Sequence, residues 1–312
     1  MRPIPDELSL RRFWSPRYWP VWLLWLWMKL TVRLPYAWQI KIGKGFGRML
    51  QPLLFRQRHA ADRNLAICFP ELDEKQRHEL LGRHFASYGA SLAEMALGWF
   101  APIETLRRLI RVEGREHLDA ALARGKGVIL FTAHFTCLET GVAILEDLCE
   151  RCSCMYRPQR NAMIDTMIRR GRSRFAQEQI EKNNVRALLH SLRANAAVAY
   201  LPDHAYSGSH SDLIPFFGEP AVTTTATSKL ARLSGAAVLP YFFHRLDDDS
   251  GYVVDIEPAL ENFPSEDPVA DTRRLVAALE DYIERAPDQY LWTYRKFKGR
   301  PSGFPDVYAR AS

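Results

Sequence analysis

The stretch Gly127-Val-Ile-Leu-Phe-Thr-Ala-His134-Phe-Thr-Cys-Leu-Glu139 decides the fold. Residues 127 to 132 form an apolar, partly β-branched run of the kind that fills a central strand, and Thr136 to Leu148 carries apolar residues at helical spacing. His134 then falls at the carboxyl end of the strand, the edge where open α/β sheets bind ligands. Glu139 falls in the first helical turn, within reach of the imidazole, and is expected to hold the ring in the tautomer whose free nitrogen takes a proton from a hydroxyl. The same spacing also suits a strand-end histidine bonded to a loop carbonyl beside an ordinary helix-start glutamate.

Outward from this stretch, short apolar strands alternate with helices. Strands are expected over 109–112, 128–132, 153–156, 196–201, 237–243 and 252–256, with helices around 138–149, 161–176, 184–194, 223–234 and 268–286. A long helix over 72–100 starts at an Asp73 cap after the Cys68-Phe-Pro70 stop. Alternation of this kind implies an α/β fold with a mainly parallel sheet flanked by helices. No internal repeat or low-complexity tract interrupts it.

The chain has 312 residues, 47% hydrophobic and 25% charged, enough to bury one sizeable core without metal or disulfide staples. Its net charge of +6 favours anionic partners such as phospholipid headgroups, phosphorylated sugars, an acidic carrier protein or nucleic acid. No nucleic-acid-binding motif is present, and the aromatic residues concentrate near the N-terminus. Residues 18–32 hold four tryptophans and one charge, yet their apolar core is shorter than the roughly 20 residues of a spanning helix. Arg11, Arg12, Arg17, Lys29, Arg33, Lys41, Lys44 and Arg48 flank the run on both sides, so an in-plane helix is as plausible as a span. Residues 1–45 are therefore expected to form a retained membrane anchor with an N-terminal anchoring helix, and 46–312 the catalytic domain. Five cysteines, an odd number, fit a reducing compartment and a cytosolic catalytic face. Cys149-x-x-Cys152-x-Cys154 lacks a second ligand pair at metal spacing, and no metal or cofactor is expected.

The spacing His134-x-x-x-x-Glu139 resembles the signature of glycerolipid-type acyltransferases, and the surrounding segments resemble one branch of them, the lipid A late acyltransferases. The segments that carry the resemblance run in family order: Arg17-Tyr-Trp, Arg63-Asn-Leu-Ala-Ile-Cys-Phe-Pro-Glu71, Tyr156-Arg157-Pro158, Gly171-Arg172, Pro202-Asp203-His204, Pro215-Phe-Phe217, Thr223-Thr-Thr225, Leu230-Ala-Arg-Leu-Ser-Gly235 and Pro287-Asp-Gln-Tyr-Leu-Trp292. They cover nearly the whole chain. Cys137 is the residue of the central stretch that departs most from the expected type.

The resemblance implies an O-acyltransferase of the bacterial inner membrane, its catalytic domain on the cytoplasmic face. The implied reaction moves a fatty acyl chain from acyl carrier protein to a hydroxyl of a Kdo-bearing lipid A precursor. Acylation of another lysophospholipid or glycolipid from coenzyme A, and a catalytically inactive membrane-docked lipid-binding protein, are the alternatives. Transfer from a thioester to a hydroxyl needs a base, a site for the developing oxyanion and a groove for the chain. His134 and Glu139 supply the first, and the start of the following helix is expected to supply the second through its unpaired N–H groups. Cys137, near His134 and that helix start, is the alternative as a covalent nucleophile. The resemblance singles out Arg172 among Arg169, Arg170, Arg172 and Arg174 as the one that contacts a phosphate or supports the site. It likewise tilts Asp203 toward orienting an acceptor hydroxyl or an arginine, against an Asx turn closing its strand. Arg157 is the further substrate-binding candidate. His204, His210 and Asp212 lie in a polar Gly/Ser-rich stretch and are expected at the surface.

Overall fold

The computed structural model describes residues 6–206 and 208–309; residues 1–5 of the expected anchor lie outside them. Three 3-10 turns (Asp6–Leu8, Leu10–Arg12, Pro16–Tyr18) lead into α1 (Trp19–Thr31), α2 (Tyr36–Leu50), α3 (Phe55–Cys68) and α4 (Glu74–Phe100). Then follow α5 (Ile103–Leu109), β1 (Ile110–Glu113), α6 (Arg115–Ala123), β2 (Val128–Phe131), α7 (Leu138–Ala143), α8 (Leu145–Leu148), β3 (Cys152–Tyr156), α9 (Ala162–Arg172) and β4 (Glu178–Glu181). The chain continues through α10 (Val185–Arg193), β5 (Ala197–Tyr200), β6 (Ser211–Phe216), β7 (Glu219–Thr224), α11 (Ala226–Ser234), β8 (Ala237–Arg245), β9 (Tyr252–Ile256) and α12 (Pro268–Arg285).

Seven strands form one sheet in the order β1-β9-β8-β2-β5-β3-β4. Five of them, β8, β2, β5, β3 and β4, run parallel, while β9 is antiparallel to β8 and carries β1 parallel to itself. The mainly parallel α/β fold is thus present, and the continuous burial of Val128 to Phe131 is what a strand covered on both faces requires. Gly127 opens that strand at φ +70°, and a Cβ there would meet the Leu192 carbonyl oxygen at 2.4 Å. Central β2 has β5 on one side with Phe131 opposite Tyr200, so segments leaving the two strands emerge at the same height.

Besides the edge strand β4 and helices α5 and α6, for which no element was expected, two parts of the chain depart from the sequence expectation. Residues 211–224 form an antiparallel hairpin, and the helix expected from 223 begins at Ala226. Its two-residue turn places Phe217 and Gly218 both at positive φ, the geometry that matches strand twist. Pro215 and Pro220 face each other in it, tolerable because the ribbon has only two strands. The second departure is the N-terminal helical layer, in which α2 packs on α4. Gly47 and Gly89 touch backbone to backbone, where a Cβ on Gly47 would sit 2.0 Å from the Phe85 carbonyl oxygen.

Helix α1 is present but only 13 residues long, and no described helix is long and apolar enough to cross a membrane. Its tryptophans do not all face outward. Trp22 donates from Nε1 to the Phe13 carbonyl at 2.8 Å, and Trp25 lies edge-on to Phe100 at 4.8 Å. Trp19, Leu23, Leu26 and Leu30 are exposed along α1, and Trp38, Ile42, Phe46 and Met49 along α2, so each helix carries an exposed apolar face.

Candidate active site

His134 leaves β2 on the three-residue segment Thr132-Ala133-His134, and Asp203 leaves β5 on Leu201-Pro202-Asp203. Because Phe131 pairs with Tyr200, the two residues stand side by side. Asp203 Oδ1 is 2.7 Å from His134 Nδ1, and Asp203 Oδ2 accepts from the His134 backbone N–H at 3.1 Å. One carboxylate therefore holds both the ring and the chain of the histidine. The tautomer this favours carries its proton on Nδ1 and presents a basic Nε2.

Asp203 is nearly inaccessible and would be pushed up by burial, but the His134 imidazole, their hydrogen bonds and nearby His204 hold it well below the usual carboxylate range. Its own loop is fixed from the other end of the chain. Lys296 Nζ donates to the Asp203 carbonyl at 2.7 Å, and Tyr290 Oη donates to Oδ2 at 3.3 Å. Burial draws the Lys296 amine down while the Asp203 charge opposes it. Asn64 of the Arg63-Asn64 segment is fully buried and donates to the carbonyls of Trp292 and Tyr294 at 2.7 Å each, which pins this part of the chain beside the site.

Glu139 does not orient His134, contrary to the reading of their spacing. Its carboxylate accepts from Trp99 Nε1 at 2.7 Å and from Arg172 through Nε at 3.0 Å and through Nη2. The reason lies in packing: α7 sits against α4, and its first turn aims Glu139 at that helix and at α9 rather than back along β2. Gly171 makes the cluster possible, since a Cβ there would lie 2.2 Å from the Trp99 ring. Burial alone would lower the Arg172 guanidinium, but Glu139 holds it above its ordinary range. With Nε and Nη2 committed to Glu139, Arg172 supports the wall of the site.

The neighbouring arginines divide cleanly, Arg169 and Arg170 lying on α9 and Arg174 just past its end. Arg174 is buried against Glu146 at 3.0 Å and donates to the Ala101 carbonyl, whereas Arg170 reaches the Leu8 carbonyl at 3.3 Å and Arg169 pairs with Glu7 at 3.3 Å. These contacts strap the N-terminal turns onto α9.

Two further expectations are revised. The N–H groups of Phe135, Thr136 and Leu138 already donate to the carbonyls of Ala133, Gln289 and Phe135, so these three are not available to a developing oxyanion. Cys137 is fully buried, and burial pushes its thiol well above the ordinary range, which removes it as a nucleophile.

His134 opens onto a cavity of about 1090 Å³ at the carboxyl ends of β3 and β5. Leu138, Val142, Ile164, Ile168, Phe175, Leu188 and Leu230 give it an apolar lining, and Glu139 and Arg172 share its wall. Arg157, Arg160 and Lys182 are exposed at its rim. Apolar depth with a few convergent polar groups is the usual make-up of a small-molecule site.

His204, expected at the surface with His210 and Asp212, lies instead against His134. Its ring stacks on His134 at 3.9 Å and 9° and on Tyr294 at 3.6 Å and 9°, while His210 and Asp212 are exposed. Donor atoms of His134, Asp203 and His204 fall within 4.8 Å of one another. Within this group Asp203 Oδ1 is already engaged with His134 Nδ1, and the two imidazole rings lie stacked. Trp99, Tyr294 and Lys296 carried no sequence signal of their own, although Tyr290 and Trp292 lie in a segment the resemblance had marked.

The site thus sets a carboxylate-held histidine against a largely apolar cavity at the strand ends of an α/β fold. The chain belongs to the bacterial lipid A biosynthesis acyltransferases: the family model of that description matches residues 9–299. The lipid A biosynthesis palmitoleoyltransferase of Escherichia coli K12 is 37% identical over 303 residues, 96% of this chain and 97% of that protein. The lauroyltransferase of the same organism is 34% identical, covering 94% and 96%, and its myristoyltransferase 25% identical, covering 96% and 93%. The protein is accordingly an acyltransferase of lipid A biosynthesis.

Proposed function

We propose that the enzyme moves a fatty acyl chain from acyl carrier protein to a hydroxyl of a Kdo-bearing lipid A precursor. His134 Nε2 removes the hydroxyl proton as the oxygen attacks the thioester carbonyl, the C–S bond of the resulting tetrahedral adduct breaks, and the imidazolium returns the proton to the departing thiolate. Asp203 orients the ring and stabilises its cationic form. The Glu139–Arg172 pair holds the wall beside it. The observation that carries this reading is the Asp203-held His134 at the mouth of the apolar cavity. The exposed rim cations Arg157, Arg160 and Lys182 suit the acidic carrier or the precursor's phosphates.

The exposed faces of α1 and α2 support attachment to the inner membrane by helices lying in the interface, with Arg33, Lys41 and Arg48 exposed toward anionic headgroups. No disulfide joins the described cysteines, in keeping with a catalytic face in the cytoplasm. Purified enzyme supplied with acyl carrier protein thioester and the Kdo-bearing precursor should add one acyl group by mass spectrometry. Transfer confined to a lysophospholipid acceptor and a coenzyme A donor would overturn the proposal.

A further inference from the structure

The Asp203 carboxylate fixes His134 along one edge only. A hydrogen bond at Nδ1 leaves the ring free to rock about that contact, yet proton removal needs Nε2 aimed steadily into the cavity. The missing constraint is a flat surface against the ring. His204 provides one: its plane lies 9° from that of His134 with centroids 3.9 Å apart, and Tyr294 backs it at 3.6 Å and again 9°. Tyr294 is itself tied down, its Oη donating to the Ala205 carbonyl at 3.3 Å and its own carbonyl held by buried Asn64 at 2.7 Å. His204 Nε2 is buried and meets no hydrogen-bond partner among the described residues, so ring stacking is the contact the described residues give it there.

We propose that His204, backed by Tyr294, is a positioning residue for His134: a neutral aromatic plate that fixes the plane of the base and faces the imidazolium formed during transfer. This rests on the reading of His134 as the base. The charged and titratable groups around the plate are Asp203, His134, Lys296 and Lys298, with Lys298 Nζ 4.6 Å from the Tyr294 ring. Burial, with Lys296 and Lys298 adding to it, draws His204 down to about 4. It therefore stays uncharged when His134 gains its proton, and a cation on a neutral aromatic face is attracted to it. A second cation at that separation would be repelled.

The test compares His204→Ala, which removes the plate, with His204→Phe, which keeps a flat ring and discards both nitrogens. His204→Ala should lower kcat about tenfold or more with KM for the acyl donor within about twofold, and His204→Phe should restore most of kcat. In a His134→Ala background, His204→Ala should cost nothing further, because the plate acts only through the base. Circular dichroism and thermal unfolding establish that each variant is folded. Should His204→Ala fail to fold, Tyr294→Leu weakens the same stack from the far side and should lower kcat alone by a smaller factor. Wild-type kcat in folded His204→Ala would overturn the proposal, as would His204→Phe falling as low as His204→Ala. Undiminished turnover in His134→Ala alone would instead overturn the base assignment, a separate outcome.

Discussion

Two buried carboxylates, Asp203 and Glu139, belong to the site, and the fold neutralises them by different means. On the β2–β5 edge, Asp203 is bound by an imidazole, a backbone N–H and a tyrosine hydroxyl, while a lysine grips its carbonyl. On the α4–α7–α9 side, Glu139 is bound by a guanidinium and an indole. Only the first arrangement touches a group that gains and loses a proton in the proposed reaction. The second is a buried ion pair whose work is to hold three helices at the cavity wall. In the proposed reaction, a carboxylate five residues from the histidine in sequence thus serves as scaffold, and one 69 residues away holds the proposed base.

The largest effect that sharpens this contrast is on stability. Glu139→Ala leaves the Arg172 cation buried without its partner and should destabilise the fold by roughly 3 kcal/mol, read from urea unfolding. The double variant with Arg172→Ala should recover part of that loss. If Glu139→Ala unfolded at the wild-type midpoint, the scaffolding role would be wrong.

A smaller effect comes from acid. Burial draws both His84 and His204 down to about 4, against 6.5 for an exposed histidine. Between those values the unfolded chain binds more protons than the folded one, so stability falls as pH drops from about 6.5 to about 4. The slope is at most about 1.4 kcal/mol per pH unit for each histidine. His84→Gln should remove roughly half of it, and an unchanged slope would show that neither ring titrates as described.

The smallest effect lies farthest from both carboxylates. Replacing Lys41 and Arg48 with glutamine should weaken binding to anionic vesicles by about 1 kcal/mol per charge, seen as partial release in salt-dependent flotation, while kcat on a detergent-dispersed acceptor stays at the wild-type value. Flotation indifferent to both changes would place the membrane contact elsewhere.

Most of the sheet was legible because apolar β-branched runs separated by helical spacing are what a doubly covered parallel sheet demands. Both His134 and Asp203 were legible as strand-end residues. Their partnership was not, because it depends on β5, not β3, lying next to β2, and strand order is set by crossovers that leave no local trace. Glu139 looked like the partner because helical spacing alone puts it near; the approach of α4, permitted by Gly98 and closed by Trp99, turned it away. Helix α2 was missed because its glycines dilute the apolar pattern, and two of them, Gly43 and Gly47, are there for contact with α4. Pro215 hid the hairpin, and the polar neighbours of His204 hid a ring that stacks on the base.

The most direct test of the account is a double-mutant cycle on kcat with His134→Ala, Asp203→Asn and Glu139→Gln, using a radiolabelled donor to follow slow transfer. Loss of His134 should cost about 10²–10⁴-fold. Residues that act as one unit are not additive, so Asp203→Asn should be severe alone and nearly silent once His134 is gone, whereas the effect of Glu139→Gln should persist in full in that background. The reverse pattern, with Glu139 coupled to His134 and Asp203 independent of it, would contradict the assignment of Asp203 as the residue that holds the base.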